Sequence, residues 1–227
     1  MANSQESIEI EYLEVQTGID PVASIIWLHG LGADGHDFEP IVPELKIPED
    51  MPVRFIFPHA PVRPITINGG MRMRGWYDLK TMTFDREEDR NGFDESSKLV
   101  QSLIQQELDR GVSSTKIMLA GFSQGGAISL YTGLRYPMPL AGIIALSTYL
   151  PFAEETESER HNANNDIDIF MAHGVADPVI PLFLADQSRQ HLESLQYPLK
   201  WATYNMEHSL HMEEIMAISE FIQENLR

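Results

Sequence analysis

The chain has 227 residues, of which 43% are hydrophobic and 22% charged, with no cysteine and a net charge of −18. This length suits one α/β domain with a large core, and so ordinary a composition excludes a wholly disordered chain. The acidic balance disfavours nucleic acid and anionic lipid surfaces as partners, while the lack of cysteine excludes disulfides, thiolate metal sites and a catalytic thiol. A polar amino terminus and the absence of a long apolar run predict a cytoplasmic protein without an integral membrane segment.

Strands and helices are predicted to alternate along the first half of the chain. Residues 8–15 alternate apolar and acidic side chains, which is typical of an edge strand. The apolar runs 24–28 and 53–57 predict buried strands, separated by a glycine-rich loop and a short helical pattern around 38–45. Little periodicity follows from about 60 to 91. A segment of this length without a clear element predicts a lid or binding loop.

The second half continues the same alternation. Helices are predicted over 93–108, 127–136, 182–195 and 212–226, and strands over 117–120, 140–146, 167–172 and 199–204. The polar stretch 154–165 is predicted to be a surface loop. This pattern indicates a mostly parallel sheet in a single domain that spans residues 1–227.

One motif joins a predicted strand to a predicted helix, the sequence Gly-Phe-Ser-Gln-Gly at 121–125. Such a motif is typical of a nucleophile elbow, in which glycines two residues before and after the serine avoid collisions in a tight turn. Three fixed positions of this kind recur by chance in roughly one chain of this length in fifteen. The strand before the turn and the helix after it therefore carry the prediction that Ser123 is a nucleophile.

A serine nucleophile needs a histidine to take its proton and a carboxylate to orient that histidine. Both should follow strands, because the crevice of an open parallel sheet lies at the carboxyl ends of its strands. Asp177 follows the strand predicted over 167–172, whereas Asp166 and Asp168 lie at or before its beginning. Asp177 is therefore the predicted acid.

Two histidines follow the last predicted strand. His208 lies in the loop, whereas His211 lies at the start of the final helix, whose positive end disfavours protonation. The loop position favours His208 as the base, and the order serine, aspartate, histidine is that of the α/β-hydrolases. Alternatively the two are metal ligands at helical spacing, although no third ligand is evident. The remaining histidines are assigned structural roles: His29, His36, His59, His161, His173 and His191.

Backbone N–H groups must stabilise the oxyanion, and the predicted donors are Gln124 and Leu31, the latter in the first glycine-rich loop. That loop, at 30–35, also satisfies the dinucleotide fingerprint. A dinucleotide site would have an acidic residue at the end of the second strand, but residues 58–61 are Pro-His-Ala-Pro. We therefore expect no cofactor and no metal.

Several segments together resemble the small carboxylesterases, lysophospholipases and acyl-protein thioesterases of the α/β-hydrolase fold. The resemblance extends from about residue 24 to 226. It rests on LHGLGADGH at 28–36, PHAP at 58–61, PITINGG at 64–70, WYD at 76–78, GFSQGG at 121–126, LSTY at 146–149, HGVAD at 173–177 and MEH at 206–208. It implies an α/β fold with a mostly parallel central sheet, helices on both faces and no large cap domain.

The resemblance also implies a serine hydrolase of carboxylic esters, including lysophospholipids or thioesters of acylated proteins, which works through an acyl-enzyme. Contact with lipid or an acylated protein would be transient. The segment 63–82 would line the acyl site, within a lid or acyl-binding segment at about 60–91, and Trp76 is alternatively a buried anchor. The implied site residues are Ser123, Asp177 and His208 for catalysis, Leu31 and Gln124 for the oxyanion, and Trp76, Met73 and Thr148 for substrate binding.

Two other functions use the same fold. One is a non-catalytic acyl-binding protein, which the intact serine, aspartate and histidine argue against. The other is a lactone hydrolase or perhydrolase, which rests on fold analogy alone. Glu207 stands where the family often has a small residue, and these motifs assign it no role. They are compatible with a monomer or a homodimer and do not encode acyl-chain preference.

Overall fold

A computed structural model describes residues 10–81 and 88–227. Its strands are β1 (Tyr12–Gln16), β2 (Ala23–Leu28), β3 (Val53–Pro58), β4 (Val62–Ile65), β5 (Met71–Arg74), β6 (Ile117–Phe122), β7 (Gly142–Leu146), β8 (Ile169–Gly174) and β9 (Leu199–Tyr204). Its α-helices are α1 (Arg90–Asp109), α2 (Gln124–Arg135), α3 (Ala153–Glu159), α4 (Leu182–Ser194) and α5 (Met212–Leu226). Within these ranges, no helix is both long enough and apolar enough to cross a bilayer.

Seven strands form one sheet in the order β1-β3-β2-β6-β7-β8-β9. β1 pairs antiparallel with β3, and the other neighbours in this sheet pair parallel. Leu28 pairs with Gly121, and Phe122 pairs with Leu146, so β2, β6 and β7 end at the same edge. The mostly parallel sheet predicted from the sequence is confirmed, and its carboxyl edge collects the loops that follow these strands.

Hydrophobic clusters lie on both faces of the sheet, because successive residues of a strand point to opposite sides. On β2, Ile26 and Leu28 belong to one cluster, and Ile25 and Trp27 to the other. Residues of α1, α2 and α4 join the first cluster, and residues of α5 and the 3₁₀ helix Glu39–Leu45 join the second. Helical segments therefore cover both faces, as predicted.

Two segments differ from the prediction. The stretch 154–165, predicted to be a loop, contains most of α3; this helix buries Thr156 alone among its residues, so no apolar stripe marks it in the sequence. The segment 60–91, predicted to lack clear elements, contains the antiparallel hairpin of β4 and β5 and the start of α1. Residues 82–87 of that segment, and residues 8–9 of the first predicted strand, lie outside the described residues.

The last helix begins with a buried carboxyl group. The Glu214 side chain accepts a hydrogen bond from the His211 N–H at 3.2 Å and forms a capping box with it. Glu214 is fully buried, and this burial raises its pKa from 4.5 to about 7. Between these two values the unfolded chain loses the proton while the folded chain keeps it, so this group makes stability fall as the pH rises.

Replacing Glu214 by glutamine is expected to remove this part of the pH dependence, because glutamine can cap the helix but does not titrate. Relative to Glu214→Gln, the wild type should lose about 2–3 kcal/mol of unfolding free energy between pH 5 and pH 8. Urea unfolding at both pH values measures the difference. Glu220→Gln, at an exposed position of the same helix, is the control. Parallel pH curves for E214Q and the wild type would contradict the prediction.

Candidate active site

Ser123 occupies the sharp turn between β6 and α2. Its φ of 56° and ψ of −120° lie in a region that residues other than glycine rarely adopt. The strand β7 and the loop after it hold this conformation: the Ser123 N–H donates to the Leu146 carbonyl at 2.9 Å, and the Thr148 hydroxyl donates to the Ser123 carbonyl at 2.7 Å. These two hydrogen bonds therefore hold the backbone of the turn against β7 and the loop after it.

The glycines on either side of the serine allow β6, α2 and β2 to approach closely. A Cβ atom on Gly121 would lie 2.2 Å from the Gly125 carbonyl carbon. A Cβ atom on Gly125 would lie 2.2 Å from the Leu28 carbonyl oxygen. Both distances are far below van der Waals contact, so the turn requires glycine at these positions for lack of space.

Asp177 and His208 form a hydrogen-bonded pair at the carboxyl edge of the sheet. Asp177 lies in the turn after β8, and His208 lies in the loop after β9. The His208 Nδ1–H donates to Asp177 Oδ2 at 2.6 Å, which leaves the Nε2 atom free to accept a proton. The other carboxylate oxygen, Oδ1, accepts from the N–H groups of Val179 and Ile180 at 2.8 and 2.9 Å. The Asp177 side chain is fully buried, so these bonds fix its orientation.

The same pair lies beside the turn that carries Ser123. The His208 ring packs against Phe122 with a centroid distance of 4.6 Å, and Phe122 directly precedes Ser123. The three residues that chain order singles out, Ser123, Asp177 and His208, are therefore at one edge of the sheet.

A second histidine, His173, contacts the turn that carries Asp177. His173 is buried, and burial lowers its pKa, so its ring is neutral near pH 7. The His173 Nε2–H donates to the Ile180 carbonyl at 2.8 Å and lies 3.4 Å from Asp177 Oδ2. The sequence indicated only an unspecified structural role for His173. Its position at the end of a buried strand, four residues before Asp177, was the signal that could have indicated this contact.

Two backbone N–H groups are available near the serine. Gln124 is the first residue of α2, so its N–H has no acceptor within the helix. In the part of the chain that the structure describes, the Leu31 N–H also has no backbone acceptor. The loop that carries Leu31 is tied down by the Gly32 N–H, which donates to the Arg74 carbonyl at 2.8 Å.

His29 anchors the start of that loop. Its Nε2 accepts from the Ala60 N–H at 3.0 Å, and its Nδ1 contacts the Gly30 carbonyl at 2.7 Å, so Nδ1 carries the proton. Burial lowers the pKa of His29 to about 4, which keeps the ring neutral near pH 7. The Trp76 indole N–H donates to the His29 carbonyl at 2.8 Å.

The three residues predicted to bind substrate have different surroundings. Trp76 is fully buried and bonded to His29, which fits the anchor that the sequence left as an alternative. Thr148 is also buried and bonds to the Ser123 carbonyl. Met73 is partly exposed on β5, and its sulfur lies 3.8 Å from where a Cβ atom on Gly32 would be. Among these three, Met73 presents the most surface beside the Leu31 loop.

The side chain of Gln124 connects the segment that follows the β4–β5 hairpin to the turn that carries Ser123, a role that the sequence did not indicate. Its Oε1 accepts from the Trp76 N–H, and its Nε2 donates to the Tyr77 carbonyl, both at 3.0 Å. Gln124 is buried, so these two backbone groups would lose their partners if the amide were removed.

Gln124→Ala is expected to lower the free energy of unfolding by about 2–4 kcal/mol, because it leaves the Trp76 N–H and the Tyr77 carbonyl buried without partners. Chemical denaturation measures this change. Gln190→Ala, on an exposed face of α4, is the matched control and should cost less than about 0.5 kcal/mol. An equal loss of unfolding free energy in the two variants would show that the contacts of Gln124 stabilise the fold no more than those of an exposed glutamine.

Among the described residues, one group of side chains outside this site has the composition of a metal centre. Ligand atoms of Asp34, His36 and His59 lie within 4.8 Å of one another. However, the His59 Nδ1 accepts from the Gly35 N–H at 3.0 Å, so in the neutral ring the Nε2 carries the proton and cannot coordinate a metal. The Nδ1 of His211 likewise accepts from the Glu213 N–H at 3.2 Å as a helix cap.

The strand order, the strained serine between strand and helix, and the loop positions of the aspartate and histidine define the α/β-hydrolase class. The sequence profile of the phospholipase/carboxylesterase family matches residues 10–226. Acyl-protein thioesterase 1 of Neurospora crassa is 42% identical over 215 residues, which cover 90% of this chain and 87% of that protein. The chain belongs to the phospholipase/carboxylesterase family and is a hydrolase, which confirms the resemblance read from its motifs.

Solved structures agree with this assignment. SOBER1 of Arabidopsis thaliana matches with a TM-score of 0.85 at 30% identity, and the match covers 90% of this chain and 99% of that one. Acyl-protein thioesterase 2 of Zea mays matches with a TM-score of 0.84 at 25% identity, and the match covers 96% of this chain and 100% of that one.

Proposed function

We propose that this hydrolase cleaves acyl esters and thioesters at Ser123, with S-acylated proteins and lysophospholipids as its substrate classes. The family match and the acyl-protein thioesterase relatives support the substrate class. The observation that carries the mechanism is the 2.6 Å hydrogen bond between Asp177 and the His208 Nδ1, which fixes the tautomer that a general base needs.

In the first half of the reaction, the Ser123 hydroxyl attacks the carbonyl carbon of the substrate and gives its proton to His208 Nε2. The resulting oxyanion accepts hydrogen bonds from the N–H groups of Leu31 and Gln124. The bond to the leaving sulfur or oxygen then breaks, and His208 returns the proton to that atom. The product is an acyl ester on Ser123 and a free thiol or alcohol.

In the second half, water replaces the leaving group. His208 takes a proton from this water as the water attacks the acyl carbon. The tetrahedral intermediate collapses, the bond to the Ser123 oxygen breaks, and His208 protonates the serine. The carboxylic acid leaves, and the enzyme returns to its starting state without any cofactor.

The hairpin segment is proposed to bound the acyl group. Met73 would contact the chain directly, whereas Trp76 and Thr148 would act by holding the segment and the nucleophile turn in place. The proposed lid spans about 60–91, of which residues 82–87 lie outside the described residues. Met73 is partly exposed beside the loop that carries Leu31, which supports this role.

The chain is also proposed to form a single domain. One sheet joins strands from residue 12 to 204, and one family profile spans 10–226, which supports a single domain. A cytoplasmic location, transient contact with lipid or acylated protein, and a monomeric or homodimeric state are further parts of the proposal. Cell fractionation and sedimentation test them.

Labelling with a fluorophosphonate tests the assignment of the nucleophile. We expect one label per chain, located on Ser123 by peptide mass spectrometry, and no label on Ser123→Ala. Ser129→Ala, a buried serine of α2, is the control and should still be labelled. Absence of labelling in the wild type would favour a non-catalytic acyl-binding protein. A panel of p-nitrophenyl esters, an acyl-thioester and a lactone then identifies the reaction.

A further inference from the structure

A groove of about 410 Å³ begins at the catalytic histidine and is not used by the mechanism above. The 3₁₀ helix Glu39–Leu45, the loop after β9 and the start of α5 form its walls. Its floor is apolar and includes Phe38, Ile41 and Phe122, each less than a tenth exposed. The remaining lining residues are Asp37, Pro40, Glu44, His208, Ser209, Leu210 and Ile215.

Ring contacts connect this floor to the reacting centre. The His208 ring lies 4.6 Å from the Phe122 ring, which lies 5.7 Å from the Phe38 ring. A molecule that leaves from the His208 side therefore meets an apolar surface at once. The groove is also larger than a thiol or a small alcohol would need.

The rim of the groove is acidic. Asp37 and Glu44 are both exposed there, and none of the lining residues is lysine or arginine. Residues 34–45 contain four carboxylates and no lysine or arginine. Loss of hydration beside the protein surface and the nearby Asp34 carboxylate raise the pKa of Asp37, so a cation bound beside it would relieve an unfavourable charge.

The position of the groove indicates that it contacts the leaving-group half of the substrate. His208 donates the proton to the departing sulfur, so the leaving group must lie on its side. We propose that the groove binds the peptide that flanks an S-acylated cysteine, with a basic side chain at Asp37 and Glu44 and an apolar side chain on the floor. This inference rests on the proposed hydrolysis of thioesters, and it assigns the choice among protein substrates to this groove.

Two peptide thioesters with the same S-octanoyl cysteine test the proposal, one flanked by lysine and leucine and the other by glutamate and leucine. For the full-length wild type, kcat/KM should be about tenfold higher for the lysine peptide, mostly through KM. Asp37→Asn combined with Glu44→Gln should reduce this ratio to about twofold or less. Glu44→Lys should favour the glutamate peptide.

The control variant combines Glu157→Gln with Glu220→Gln, both at exposed positions away from the groove. It changes the net charge equally and should keep the wild-type ratio. A wild type that cleaves both peptides equally, or a groove variant that keeps the full preference, would overturn the proposal. Loss of the preference in the control variant as well would also overturn it, because overall charge would then be the cause. Failure to cleave either thioester or a p-nitrophenyl ester would instead refute the proposed function.

Discussion

Replacing Asp177 by asparagine is expected to lower kcat for ester hydrolysis by about 10³–10⁴-fold while the fold persists. The two backbone N–H groups of Val179 and Ile180 require an acceptor, so the asparagine must turn its carbonyl oxygen toward them. Its NH₂ group then faces His208 Nδ1, which must accept. The proton of the imidazole consequently moves to Nε2, and this tautomer cannot take a proton from Ser123.

Steady-state hydrolysis of a p-nitrophenyl ester and a thermal melt check this result. Asp168→Asn is the control, because Asp168 directly precedes β8 at the edge of the sheet opposite the loops that carry Asp177 and His208. That variant should retain wild-type kcat. A decrease of less than tenfold in D177N would mean that another group orients the histidine, and the assignment of Asp177 would be wrong.

Gly125→Ala should destabilise the chain by more than about 3 kcal/mol, which corresponds to a Tm lower by about 6–12 °C. The new methyl group would lie 2.2 and 2.5 Å from the Leu28 carbonyl oxygen and carbon and 2.7 Å from the His29 oxygen. All three are backbone atoms in or next to the central sheet, so no side chain can turn aside. The shift of β2 would also displace Leu31 and reduce activity.

Gly30→Ala is the matched comparison for this variant. Its added methyl group would lie 3.5 Å from both Phe122 Cδ1 and Ser123 Cβ, which is ordinary contact. We expect its unfolding free energy to stay within about 1 kcal/mol of the wild type. Equal melting temperatures for the two variants would show that the close approach of α2 to β2 does not limit stability.

Most of the sheet could be predicted because its strands are buried on both faces and appear as unbroken apolar runs. The order of strands and loops also predicted that Asp177 and His208 follow strands at one edge of the sheet, where the structure joins them by a hydrogen bond. Elements that bury little were missed. α3 shows a run of acidic residues whose partners, such as Arg90 for Glu155 and Glu159, are distant in sequence. The β4–β5 hairpin likewise buries little: of its eight residues, Ile65 alone is buried.

The side-chain contacts that support the site could not be predicted from the sequence either. The motif gives Gln124 a backbone role, but its amide contacts with Trp76 and Tyr77 depend on how a distant hairpin packs. The contact of His173 with the Ile180 carbonyl likewise depends on the curvature of one turn. Periodicity and spacing report which face a residue occupies, whereas these contacts depend on the path of loops between elements.

The backbone of Ser123 is held by both neighbouring strands, through the Leu146 and Thr148 contacts on one side and the close approach of Gly125 to Leu28 on the other. Substitutions in these central positions would disturb the chemistry and the fold together. The β4–β5 hairpin and the rim of the groove lie outside this constraint, so their side chains can change while Ser123 keeps its position. Descendants of this hydrolase could therefore acquire new substrates by change at the periphery, with the backbone around Ser123 inherited unaltered.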